Sequence, residues 1–375
     1  MDDAALAELI ARCQREVDEG LLPSSQIAVA RGDQVITFET FGKAAPGSRY
    51  VIFSATKPVV ASAFWLLLGE GAASLDQTVA ELIPEFGTNG KDVVTIRQLL
   101  LHEGGFPQAP INLETDTSRE RRLARFASWR LNWEPGTRFE YHPTSAHWVI
   151  AELIERLSGI EYRQFITQRI LSPLGLERFR LGVAEADQHD VNDVEVCGEP
   201  PTDEELEALT GIPGITLETL QGEVTQAALV AFNRPDIRAL GVPGGGGIST
   251  AADMALFYQG LLHNPNKLWD PAVLSSGTRE VHGTLPDPVW RVSSHRALGT
   301  VIAGDQPGAA MRGFGHTVSP HAFGHAGAGG QIAFADPDTD VSFCYLTNGL
   351  DANMIREGRR TASIAGYVGR LSPLT

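Results

Sequence analysis

The sequence predicts an α+β fold: an antiparallel sheet flanked by helices, built from both ends of the chain, with a mostly helical domain inserted between them. Two observations carry this expectation. Strand-like runs, paired about turn sequences, occur near each end, and the segments between them repeat apolar residues at helical spacing. At 375 residues the chain has room for one large or two medium domains. The expected partition is a sheet domain from residues 1–50 and 285–375 and a helical domain over 51–284.

The elements follow in order. In MDDAALAELIARCQREVDEG, Leu6, Ile10, Cys13 and Val17 keep helical register, and acidic residues stand where a signal peptide would be basic. QIAVARGDQVITFETFG places two strand-like runs about Arg31-Gly32-Asp33, a hairpin signal. YVIFSATKPVVASAFWLLLG reads as a buried helix. In TIRQLLLHEGG, Thr95 is a candidate N-cap and Gly104-Gly105 the stop. TSAHWVIAELIERLSGI has Ile150, Ile154 and Leu157 in register and ends at Gly159. GGGGISTAADMALFYQGLL opens on a glycine turn, followed by Thr250 and Asp253 at capping-box spacing. GGQIAFADPDTDVSFCYLTNG repeats the hairpin pattern about Asp336-Pro337-Asp338, and a last helix runs from Asn353 to Leu371.

Charge narrows the partners. The net charge is −16, which argues against nucleic acid or an anionic membrane surface. Twelve Asp and Glu fall between Arg180 and Arg234 with no Lys or Arg among them, leaving −4 for the remainder. Residues 182–233 are therefore expected as an acidic surface excursion, long enough to be a lid or binding loop. Cys13, Cys197 and Cys344 lie far apart and show no metal-ligand spacing, so no metal or other cofactor and a reduced, cytoplasmic setting are expected. The longest apolar run, after Lys57, is too short to span a bilayer.

That run contains the residue that points to chemistry. The chain has four lysines against 26 arginines, and Lys57 lies inside the apolar stretch, where an ammonium without a partner is costly. Residues three apart share a helix face, so Ser54 and Lys57 project together. Pro58 places them in the first turn, where a missing N–H breaks nothing. Burial and the helix dipole both favour a neutral amine, and a neutral amine beside a serine is a general base beside a nucleophile. Other motifs fail. No G-x-S-x-G occurs, and GISTA misses its last glycine. His102-Glu103 starts a zincin motif that Phe106 ends. Gly244 to Gly247 lacks the lysine of a phosphate loop and reads as a tight turn.

With these residues in place, FSATK resembles the Ser-x-x-Lys motif of the serine β-lactamase and penicillin-binding-protein superfamily. The segments LDQTVAELIPEF, VTIRQLLLHEGGFP, EPGTRFEYHPTSAHWVIAELIERLSG, ILSPLGLERFRLG, GGGGISTAADMALF and FGHAGAGGQIAFADPDTDVSFCYLTNG resemble class C β-lactamases and family VIII carboxylesterases, in the same order. The resemblance implies the β-lactamase/transpeptidase-like fold, with Ser54 as nucleophile and Lys57 as base. It implies that Tyr141, in FEYHP, shuttles the proton. His325, in GHAG, stands where β-lactamases carry the lysine of Lys-Thr-Gly and would position substrate or polarise the site. Beyond Gly327, the N–H of Ala328 would join that of Ser54 in an oxyanion hole. His102, His142 and His147 fall near the expected site as pocket residues.

The sequence also departs from the β-lactamase pattern. Tyr-x-Asn becomes Tyr141-His142-Pro143, and the Lys-Thr-Gly lysine is absent, both of which count against an efficient β-lactamase. The expected substrate is a small-molecule carboxylic ester. An amide or D-amino-acid peptide hydrolase, an acyltransferase and a non-catalytic binder are the rivals.

Overall fold

The computed structural model describes residues 1–372. Its strands are β1 (Ser24–Arg31), β2 (Gln34–Gly42), β3 (Tyr50–Val51), β4 (Arg180–Leu181), β5 (Glu195–Cys197), β6 (Gly247–Ser249), β7 (Val301–Ile302), β8 (Phe323–Gly327), β9 (Gln331–Asp336), β10 (Val341–Thr347) and β11 (Gly349–Asp351). Six of them form the main sheet in the order β2-β1-β10-β9-β8-β7, antiparallel at every step. Both expected hairpins form. The first turns at Gly32 and Asp33, both left-handed, as a two-residue turn between twisted strands requires. The two hairpins then join at the centre of the sheet, with Ser25 opposite Thr347 and Arg31 opposite Val341.

Helices cover both faces, so β1, β9 and β10 are buried almost throughout and read as apolar runs without alternation. On one face, α1 (Asp3–Asp18) and the C-terminal helix Met354–Val368 pack over Ile27, Val29, Phe334 and Phe343. The buried stripe of α1 is Ala5, Leu9, Cys13 and Glu16, one position off the expected one; Leu6, Ile10 and Val17 flank it half-buried. The cause is polar. Arg360 donates to Glu16 at 2.6 Å and to Asp351 at 2.7 Å, so a carboxylate occupies a core position that an apolar count passes over.

On the other face lies the helix Ala251–His263, tied down by Ser342 Oγ donating to Ala255 O (2.7 Å) and Gln259 Nε2 to Ala30 O (3.1 Å). A helix within the stretch expected as the helical domain, 51–284, thus packs directly on the sheet. The core does not break at 50/51. The helix α2 (Lys57–Gly69), the central helices and one face of the sheet share one hydrophobic cluster. A shared core gives no composition shift from which a boundary could be read. The acidic stretch differs from a simple excursion as well. Its β5 pairs in parallel with β11, Val191 and Val194 are buried, and short helices Asp203–Thr210, Leu217–Gln221 and Gln226–Val230 follow.

Candidate active site

The nucleophile candidate lies in a tight turn between β3 and α2. Ile52 N–H is held by Gly247 O at 2.9 Å, and residues Phe53–Thr56 then form a 3-10 turn before the α-helix starts at Lys57. Ser54 therefore precedes the α-helix, where the first-turn reading had placed it inside. The result for the pair is closer contact, because side chains three apart eclipse in a 3-10 turn. Lys57 Nζ is 3.1 Å from Ser54 Oγ. Phe53 adopts the left-handed region at φ 44°, a strain of about 1–3 kcal/mol for a residue with a side chain. Its ring packs edge-to-face on Phe232 at 5.5 Å.

Lys57 is 0% exposed and has no carboxylate partner among the described residues. Its Nζ donates to Pro143 O at 2.8 Å and to Gly244 O at 2.6 Å. A neutral amine has two N–H bonds and one lone pair. Ser54 Oγ is the third polar atom about the nitrogen, so an amine that has lost its proton and keeps both carbonyls turns its lone pair toward the Ser54 hydroxyl. Burial holds the ammonium well below its usual range, and the Arg296 charge lowers it further. Gly244 has a steric role too: a Cβ there would meet Pro143 O at 2.9 Å, and one on Gly247 would meet Thr56 Oγ1 at 2.6 Å. The glycine turn thus lets the chain approach closely enough to hold the lysine.

Tyr141 lies with its ring centroid 4.9 Å from Lys57 Nζ and 4.7 Å from the His102 ring. Its hydroxyl is buried without a well-formed hydrogen bond. Burial pushes the phenol up to about 12, against the lowering effects of the Arg296 charge and the neighbouring Ser54 hydroxyl. The environment thus drives the amine and the phenol apart: Lys57 toward a base, Tyr141 toward a protonated donor.

His325 lies on β8, 5% exposed. Its Nδ1 donates to Ala326 O at 2.6 Å, and its Nε2 accepts from Arg296 Nη1 at 3.1 Å. Gly327 must be glycine, since a Cβ there would meet Ile52 O at 2.3 Å; β8 runs directly beside the serine turn. Ala328 opens the turn Ala328–Gly330 that follows. Sequence reasoning missed Arg296. The signal available was the one used for Lys57, a cation in a buried apolar setting, but Ser293, Ser294 and His295 just before it gave HRALG a surface look.

The three other histidines brace the site. His142 accepts from Phe106 N–H at 3.2 Å and donates through Nδ1 to Glu140 O at 2.6 Å. His102 Nδ1 accepts from His142 N–H at 3.1 Å. His147 is buried beside Gly244, with neither ring nitrogen hydrogen-bonded. Burial lowers all three, His142 to about 3, so each is neutral. The acidic stretch borders this region, where Thr144 Oγ1 donates to Glu223 at 3.2 Å.

The beta-lactamase family model matches residues 9–366. The chain is similar to the Esterase/beta-lactamase LipL of Mycobacterium tuberculosis, at 26% identity over 85% of this chain and 72% of that protein. Among solved structures it resembles a penicillin-binding protein homolog from Caulobacter crescentus, with a TM-score of 0.79, 23% identity and 97% of each chain covered. It also resembles a family VIII carboxylesterase, with a TM-score of 0.76, 22% identity and 97% of each chain covered.

Proposed function

The chain belongs to the beta-lactamase family, and from that premise we propose that it is a serine carboxylesterase acting through a Ser54 acyl-enzyme. The observation that carries the reading is Lys57: a buried amine with no carboxylate partner among the described residues, bonded to two carbonyls and 3.1 Å from Ser54 Oγ. In the first step the Ser54 proton passes to Lys57 Nζ as Oγ bonds to the ester carbonyl carbon. The N–H groups of Ser54 and Ala328 would receive the oxyanion. Tyr141 gives its proton to the departing alkoxide and recovers one from Lys57. Water then repeats the sequence on the acyl-enzyme and releases the acid.

Preference for esters over β-lactams rests on Pro143. It offers no side-chain amide to a substrate, and its carbonyl is already occupied by Lys57. The unbridged Cys13, Cys197 and Cys344 fit the cytoplasm as the proposed compartment. The test is a panel of p-nitrophenyl esters, aminoacyl anilides and nitrocefin, each with wild type and Ser54→Ala. Ester turnover that vanishes in Ser54→Ala is the expected result. Faster turnover of the anilides or nitrocefin would reassign the enzyme as an amide hydrolase or β-lactamase, and no turnover at all would favour a binding protein.

A further inference from the structure

Arg296 is a buried cation with no acidic partner within ion-pair distance among the described residues. It is 8% exposed, it donates through Nη1 to His325 Nε2 at 3.1 Å, and its Nε has no acceptor. Its guanidinium carbon lies 5.3 Å from the Tyr141 ring centroid and 5.6 Å from that of Phe139. Lys57 Nζ lies 4.9 Å from the same Tyr141 ring. The two cations are thus gathered about one phenol in a water-poor site, and a guanidinium cannot escape the conflict by losing its proton.

We propose that Arg296 is a positioning residue of this site: it fixes His325 as a neutral imidazole and sets a permanent positive charge across the Tyr141 ring from Lys57, which disfavours a second cation there. The proposal rests on the reading of Lys57 as base. The histidine argument is one of donors and acceptors. A guanidinium only donates, so His325 Nε2 must carry a lone pair. The proton is then on Nδ1, where Ala326 O accepts it. A doubly protonated ring would aim a donor at a donor, so His325 serves as a fixed neutral group and does not act as an acid.

The charge argument requires every group that faces the pair. Lys57 is lowered by burial and then by Arg296. His102, His147 and His325 are held neutral by burial, with Arg296 contributing to each. Tyr141 stays protonated, Arg312 adds a second, weaker positive influence, and Asp287 is the acidic residue that acts on Arg296. Glu103 lies across Gly283 from the Arg296 Cβ, and burial pushes it up to about 7, so it too loses its charge in acid. Arg296 is therefore the permanent charge that shares the Tyr141 ring with the lysine and acts on it.

Removing that charge favours the Lys57 ammonium, so the acid limb of kcat/KM moves to higher pH. The experiment measures this limb with p-nitrophenyl butyrate for wild type, Arg296→Met and Arg296→Lys, alongside the pH dependence of fluorophosphonate labelling at Ser54. Arg296→Met is expected to shift both limbs up by about one pH unit, a tenfold loss at a pH on the limb, with the alkaline plateau largely kept. Arg296→Lys should move the limb the same way, because an amine in so buried a place can shed its proton where a guanidinium cannot. If Arg296→Met or Arg296→Lys lowers activity equally at every pH with no shift of the limb, the proposal is overturned in favour of packing. Unfolding of Arg296→Met leaves Arg296→Lys and the labelling limb to decide. Wild-type turnover surviving in Ser54→Ala would instead overturn the esterase reading, whatever Arg296 does.

Discussion

Lys57 and Arg296 are both buried basic side chains, yet only one of them could be read from sequence. Lys57 interrupts an apolar helix three residues after a serine, and spacing alone marks it. Arg296 follows a polar loop, and its partners come from segments far away in the chain. The carbonyls of Pro143 and Gly244 were invisible for another reason: they are backbone groups, and no residue type announces them. Two predictions belong at this scale. Lys57→Arg keeps the charge but cannot present a lone pair, because arginine stays protonated. Its activity should fall nearly as far as that of Lys57→Ala, and near-normal turnover would show Lys57 to be a fixed charge. The pH profile of wild type should also be one-sided. Activity falls as acid protonates Lys57, whose affinity for protons is depressed. It should hold on the alkaline side, because Tyr141 loses its proton only near 12. A profile that bends down near neutrality on the alkaline side would mean another group donates.

Elements were legible where local chemistry set them. Both hairpins form where turn residues placed them, and Thr250 caps its helix as its spacing implied. The acidic stretch was legible only as composition. That its β5 adds to β11 depends on a strand from the far end of the chain. Its contact with Thr144 brings one of its twelve carboxylates, Glu223, to the border of the site, and the field of the stretch should slow the encounter of anionic esters. The kcat/KM ratio of a neutral ester to a carboxylate-bearing ester of similar size should therefore be high at low salt. It should shrink toward 1 M salt, where the Debye length is about 3 Å. An unchanged ratio would mean that the stretch faces away from the path of the substrate.

At the scale of the whole molecule, the main sheet joins strands from both ends of the chain, and one core serves sheet and helices alike, so no shift of composition marks a boundary between them. The termini are also joined electrostatically. Arg360, on the last helix, bridges Glu16 of α1 and Asp351 of β11, all three buried. Arg360→Ala would remove the cation the two buried carboxylates share, leaving Glu16 to Arg12 and Asp351 to Arg356, and should destabilise by about 1.5–3 kcal/mol. Chemical denaturation checks this, and a loss below 1 kcal/mol would show that water reaches the pair.

The pairing of β1 with β10 also has a consequence for synthesis. Residues 24–31 leave the ribosome about 300 residues before the strand they must lie against, residues 341–347. Until then β1 has β2 on one edge and nothing on the other, and its apolar residues have no sheet to enter. The strand that borders the serine turn, β8, likewise emerges long after that turn. A nascent chain stalled before residue 320 would hold Ser54 and Lys57 without the β8 edge and without the centre of the sheet. Such a chain should not label with a fluorophosphonate, so each molecule stays inert, and dependent on chaperones, until its last strands have been released.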